Sequence, residues 1–432
     1  MPEITEPAYP LTKAAFTRAL MTGHGRALIH AERCGTEEVR EEILTAALFP
    51  NVYDAQCNGL GEAWLARLCV AAGLVESFIS QDHGITGDLD LRCGMLAQFA
   101  LLGHDAPRTE LRELCRYDEK NGWVEGASEI IDVDGEEGFL FVVERFGKAL
   151  LEHPDPWGSA YLARRLDEKA GEGRAKAIMD RESPGNPNIA AFREAVLKSE
   201  AEVRPRPVRI KPSVDEWLDQ ILNSEKPVRF LRHSGRQATL DEGRFVAAMD
   251  FPRLNAIALE NYLLFFAGRG FPELWEEHLA LLTHPEAQVR RQAHETMSHH
   301  AEPELRKAAY EALARSEVSN FVTLLHRFAR RRDTGPMLEA ISAPGAFEDD
   351  FDLHGTVLDL LRLVEIKKRM KDVRLPVWIY ENSPCRRCRH DAVRIMADRS
   401  ILPNWIAREC LSDAYDDTRE IAAKHLGVER AF

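Results

Sequence analysis

FPELWEEHLALLTHPEAQVRRQAHETM, residues Phe271 to Met297, reads as two short helices joined by a tight turn. In the first half Leu274, Trp275, His278, Leu279 and Leu282 recur at spacings of three and four, which places them on one helical face. The break is Thr283-His284-Pro285-Glu286. Thr283 suits a helix cap, Pro285 an early helical position, and Glu286 the positive end of the helix dipole. In the second half Val289, Ala293 and Met297 make a narrow apolar stripe. Helices this short are marginal alone, so the pair calls for neighbours.

The second helix recurs along the chain. HPEAQVRRQAHETM (284–297) aligns without a gap to SPCRRCRHDAVRIM (383–396), an offset of 99 residues, or three periods of 33. Pro285, Arg290, Ala293 and Met297 match Pro384, Arg389, Ala392 and Met396. A further copy, DAYDDTREIAAKHL (413–426), follows 30 residues later, with Thr418, Arg419, Ala422 and Leu426 in the slots of Val289, Arg290, Ala293 and Met297. A weaker copy lies 33 residues upstream, at Pro252, Ala256 and Leu264. Self-similarity at this period is the mark of stacked two-helix units.

This helix pair resembles a HEAT repeat, the two-helix unit of an α-solenoid. The tail LPVWIYENSPCRRCRHDAVRIM, with LPNWIARECLSDAYDDTREIA after it, makes the chain similar to bacterial HEAT-repeat proteins that carry an N-terminal helical region. The resemblance implies an all-α fold, an α-solenoid of HEAT-like helical pairs preceded by a less regular helical domain. It brings no catalytic residues and no cofactor with it. It implies an interaction scaffold or adaptor. The alternative it allows is a nucleic-acid-binding relative, a DNA glycosylase-like protein among them, with a basic concave groove.

The chain has 432 residues, enough for two or three domains, and its 45% apolar and 29% charged content is ordinary for a globular protein. Its net charge is −14, of which residues 1–200 hold −13 and residues 201–432 only −1. An acidic half is ill suited to phosphate backbones. MPEITEPAYP at the start has no basic, apolar leader pattern, and no run of 18 apolar residues occurs. Eight scattered cysteines read as thiols. The expected location is cytoplasmic.

Helical patterns fill residues 11–200 with almost no strand-like alternation, so 1–200 reads as an acidic helical domain. EAEVRPRPVRIKPS then interrupts the pattern, and its three prolines forbid helix. Residues 201–212 read as a Pro/Arg linker and 213–432 as the repeat domain.

Several short motifs invite chemistry and fail on spacing. His294-Glu295-Thr296-Met297-Ser298-His299 resembles the metalloprotease HExxH, yet position 298 is Ser, and His299 falls about 140° round the helix from His294. Asp132 to Glu137 hints at a calcium loop, but Glu137 and Val143 stand where glycine and glutamate are required. Gly23-His24-Gly25 lacks the rest of a phosphate loop. Cys385-x-x-Cys388, with His390 beside it and Cys410 on a neighbouring helix, is half of a metal site with no second Cys pair. Cys388 aligns with the core residue Val289, so packing is the expectation there.

Basic runs are denser in the repeat region. In a HEAT-like stack the second helix of each pair lines the concave surface. Arg290, Arg291, Arg389, Arg394 and Arg419 would then form a ridge for an acidic partner, a separate protein or the chain's own N-terminal domain.

Overall fold

A computed structural model of the chain describes residues 5–49, 53, 57, 59–81, 88–119, 122–153, 158–201, 211–325, 327, 329–367 and 372–429. Helices form nearly all of its regular structure, as the sequence leads one to expect. The strands among the described residues are a two-residue antiparallel pairing of Tyr117–Asp118 with Trp123–Val124.

The described residues fall into two compact units. One holds Thr5 and residues 211–403; the other holds residues 6–201 together with 404–429. Residues 202–210 of the expected linker lie outside the described residues. The last helical pair, Asn404–Cys410 and Asp416–Leu426, was expected to end the repeat domain. It groups instead with the N-terminal helices. The cause is close packing at Gly25, where an added Cβ would lie 2.0 Å from the Glu409 carbonyl oxygen. The two backbones touch, and polar bonds fasten them. The Ala414 amide donates to the Gly23 carbonyl at 3.0 Å, Trp64 Nε1 to the Ser412 carbonyl at 2.9 Å, and Arg26 Nε to Glu409 Oε1 at 2.8 Å.

In this unit the long helix Ala127–Glu152 packs against Ser159–Ala170 and Pro187–Ala201. Phe139 and Phe146 meet Phe192 edge to face, at centroid distances of 6.2 and 5.7 Å, and all three are buried. Gly135 breaks the long helix with φ 60° and ψ −126°. The acidic residues around it are held by arginines: Asp132 by Arg165, Asp134 by Arg112, and Glu136 by Arg174. The acidic run is thus an ion-paired helix segment.

The other unit has a serial order. Helices Ala256–Phe266, Ala287–Met297, Val318–Leu324, Asp350–Ile366 and Arg386–Asp398 each pack on the next. The intervening helices Pro303–Ala314 and Arg374–Asn382 pack beside them. Polar links cross from one helix of the series to the next. Thr296 Oγ1 donates to the Leu263 carbonyl at 3.1 Å, and Ser319 Oγ donates to Asp352 Oδ1 at 2.8 Å. Each pair is 33 residues apart. The aligned positions Ala293, Ala392, Met297 and Met396 are all fully buried. Small and flexible apolar side chains recur where the helices meet.

The opening stretch differs in detail from its sequence reading. Its first helix is only Glu276–Ala280, followed by a 3-10 turn, Leu281–Thr283. Trp275 is exposed, and His278, Leu281 and Leu282 carry the burial. His278 stacks on Phe271 with centroids 3.8 Å apart. Its Nδ1 accepts from the Trp275 amide at 3.1 Å, so its Nε2–H faces the Tyr262 hydroxyl at 2.9 Å. Thr283 does not cap the following helix; its hydroxyl donates to the Ala280 carbonyl. The His284 ring nitrogen accepts from the Glu286 amide at 3.1 Å instead.

Candidate functional site

The side chains of His354, Cys385 and Cys388 converge. Their nitrogen and sulfur donors all lie within 4.8 Å of one another. His354 Nε2 is 3.2 Å from Cys388 Sγ. Two helices supply the set. His354 sits one turn into Asp350–Ile366; Cys385 is the N-cap of Arg386–Asp398 and Cys388 its third residue. Residues three apart on a helix share a side, which brings the two sulfurs together. Ser383 fixes the approach to the helix: its buried hydroxyl accepts from the Cys385 amide at 3.2 Å and donates to the Cys385 carbonyl at 3.0 Å. Both sulfurs are buried, and His354 is half-buried. Two thiols and one imidazole make a donor set of borderline-soft character, suited to zinc or copper(I) and unsuited to calcium or magnesium, which take oxygen ligands.

Only part of this grouping is visible in the sequence. The Cys385–Cys388 spacing stands out, while His354 does not, because nothing local marks it. Its signal is distance: it lies 34 residues before Cys388, about one repeat period. His390 and Cys410 are not in the cluster. Cys410 is a buried residue of the other unit.

The five ridge arginines have different fates. Arg389 and Arg419 are buried, at 0% and 2% exposure, and so cannot present charge to a partner. Arg419 Nη1 donates to the Asp413 carbonyl at 2.7 Å. Arg290 Nη1 donates to the His284 carbonyl, also at 2.7 Å, and to Pro285 at 2.8 Å. His284 and Asp413 occupy the same position in the aligned copies. The same guanidinium therefore closes the same turn in both, satisfying a carbonyl six residues back. Arg394 is half-buried and held by Glu365, Asp391 and Asp398. Arg291 alone of the five is exposed. Arg387, which the ridge reading left out, is exposed as well. An exposed five-arginine ridge is therefore not present. At Arg290 and Arg419 the guanidinium was read as a surface charge where it acts as a turn clasp.

His278, His294 and His299 bond within the fold. His294 Nδ1 donates to the Arg290 carbonyl at 2.7 Å, and burial pushes its pKa down to about 4. His278 is likewise pushed down to about 4, chiefly by burial and then by the charge of His300. His299 Nε2 donates to the Ala267 carbonyl at 3.1 Å, and Glu295 pairs with Arg232. In the HExxH-like run Glu295, Thr296 and His299 thus reach neighbouring segments, while His294 bonds within its own helix.

No protein family, curated protein or solved structure matches this chain. No described helix is long and apolar enough to cross a membrane.

Proposed function

We propose that residues 211–403 are a run of HEAT-like helix pairs whose role is to hold a protein partner. The observation that supports this reading is the serial order of packing, in which each helix of the series touches the one before and the one after. In such arrays each unit contacts only its neighbours, and the exposed side of the stack becomes a continuous binding surface. The arginine-to-carbonyl clasp at Arg290 recurs at Arg419, in the C-terminal pair outside residues 211–403, which supports a helix-pair unit repeated along the chain. Fold alone does not fix function, so the partner is inferred from the surface.

Arg291 and Arg387 are the ridge-region cations that remain exposed, and neither has an ion pair among the described residues. We assign the acidic-partner contact to them. Each exposed pair contributes only about 0–1 kcal/mol, so the contact is weak per residue and salt-sensitive. A nucleic-acid groove has less support, because Arg389 and Arg419 are buried and Arg394 is neutralised by carboxylates. The test is quantitative affinity capture with the full chain, compared with an R291E/R387E double variant. The expected result is a reproducible, saturable partner whose retention falls in the double variant and at high salt. Absence of such a partner, or equal retention by both chains at every salt concentration, refutes the proposal.

A further inference from the structure

We propose that His354, Cys385 and Cys388 bind one zinc ion, with the fourth coordination position left to water or to a donor from outside the chain. This inference is independent of the scaffold reading, which stands or falls on partner capture.

Geometry comes first. Zinc takes sulfur at about 2.3 Å and imidazole nitrogen at about 2.0–2.1 Å in a tetrahedron, so its donors sit about 3.5–3.8 Å apart. The three donors here all lie within 4.8 Å of one another, and one pair is at 3.2 Å. Shifts of about 1 Å or less, within reach of χ1 and χ2 adjustments, bring all three onto one ion. The donors also come from two helices that pack on each other, so the ion has a rigid frame.

Chemistry comes second. Among the described residues no carboxylate belongs to the cluster, which disfavours hard cations. Two thiolates neutralise a divalent ion, and the neutral imidazole completes three protein ligands. Three protein ligands with a fourth exchangeable position are the arrangement of accessible zinc sites, whereas closed structural sites use four. His354 is half-buried and the two cysteines are buried, so solvent exposure in the set lies on the histidine. Helix geometry adds to this. Cys385 is the N-cap of Arg386–Asp398 and Cys388 its third residue, so one helix start fixes both sulfurs.

The full chain, purified under reducing conditions and stripped with a chelator, is titrated with zinc chloride in competition with a chromophoric chelator. The expected result is one ion per chain, with affinity reduced at least tenfold in C388S and in H354Q and unchanged in C410S. Cobalt(II) loading of the unaltered chain gives a readout that does not depend on whether a variant folds. It is expected to give thiolate-to-cobalt charge transfer and the intense visible bands of a four-coordinate ion. Failure of the unaltered chain to take up micromolar zinc overturns the proposal. So does equal affinity in H354Q, a six-coordinate cobalt spectrum without charge transfer, or uptake of copper(I) with none of zinc.

Discussion

Gly25→Ala probes the seam that ties the last helical pair to the N-terminal helices. The added Cβ would sit 2.0 Å from the Glu409 carbonyl oxygen, 2.9 Å from the Ser412 carbonyl carbon and 3.1 Å from the Asp413 amide nitrogen. All three are backbone atoms, so no side chain can swing aside. Ordinary contact begins at 3.4 Å, and the two segments have to separate to reach it. Separation strains or breaks the Ala414–Gly23, Trp64–Ser412 and Arg26–Glu409 bonds. Two neutral hydrogen bonds at about 1 kcal/mol each and one charged bond at about 1.5–3 kcal/mol give a loss of about 3–5 kcal/mol. For a unit of this size that lowers the melting temperature by roughly 10 °C. The assay is thermal melting by circular dichroism, with limited proteolysis of residues 404–429 as a local readout. Gly355→Ala is the control: its nearest neighbour is the Arg291 guanidinium at 3.7 Å, and it lies inside a helix. It is expected to stabilise by about 0.5–1 kcal/mol. A Gly25→Ala chain that melts with the parent and resists protease equally refutes the assignment of that pair.

Ala293→Leu and Ala392→Leu place three extra carbons at fully buried positions, and each is expected to cost about 1–3 kcal/mol in denaturant unfolding. Acid destabilises the chain through His278 and His294. Their folded pKa values of about 4 lie below the ordinary 6.5, so the unfolded chain binds more protons between those limits. Their contribution is complete above pH 6.5 and is lost as pH falls toward 4; at pH 5 each costs about 2 kcal/mol. Urea melts at pH 7 and pH 5 measure it, and a His294→Leu chain that folds is expected to lose part of the difference. Duplex DNA is expected to show no binding that weakens with salt, because four of the five ridge arginines, Arg290, Arg389, Arg394 and Arg419, are buried or already bonded within the fold; a steep salt slope in a fluorescence titration contradicts this.

Helix existence was legible in the chain because the apolar spacing is local. Ala293 and Met297 announced their burial, and the copies at Ala392 and Met396 followed by alignment. What stayed hidden is long-range. Arg389 and Arg419 read as surface cations, since nothing in residue type distinguishes an exposed guanidinium from a buried one. The recurrence of arginine six residues after His284 and after Asp413 was the available clue. The three-donor cluster was half legible: Cys385 and Cys388 are close in sequence, while His354 joins them only because consecutive helices of the series stack. The grouping of the C-terminal pair depended on Gly25 and Trp64, hundreds of residues away, which no local pattern reveals. The first helix of the opening stretch was overextended because Trp275, an apolar residue at helical spacing, packs at the surface.

The central claim is that residues 211–403 behave as a linear stack, each helix pair stabilised by its neighbours. Hydrogen exchange of the Ala293→Leu chain tests it most directly. In a linear stack the disturbance at Ala293 spreads to the adjoining helices and fades. The expected result is faster exchange in Ala256–Phe266, Ala287–Met297, Pro303–Ala314 and Val318–Leu324, with Arg374–Asn382 and Arg386–Asp398 exchanging as in the parent. An equal rise in exchange across the whole of residues 211–403 would mark a single cooperative core and contradict the stack.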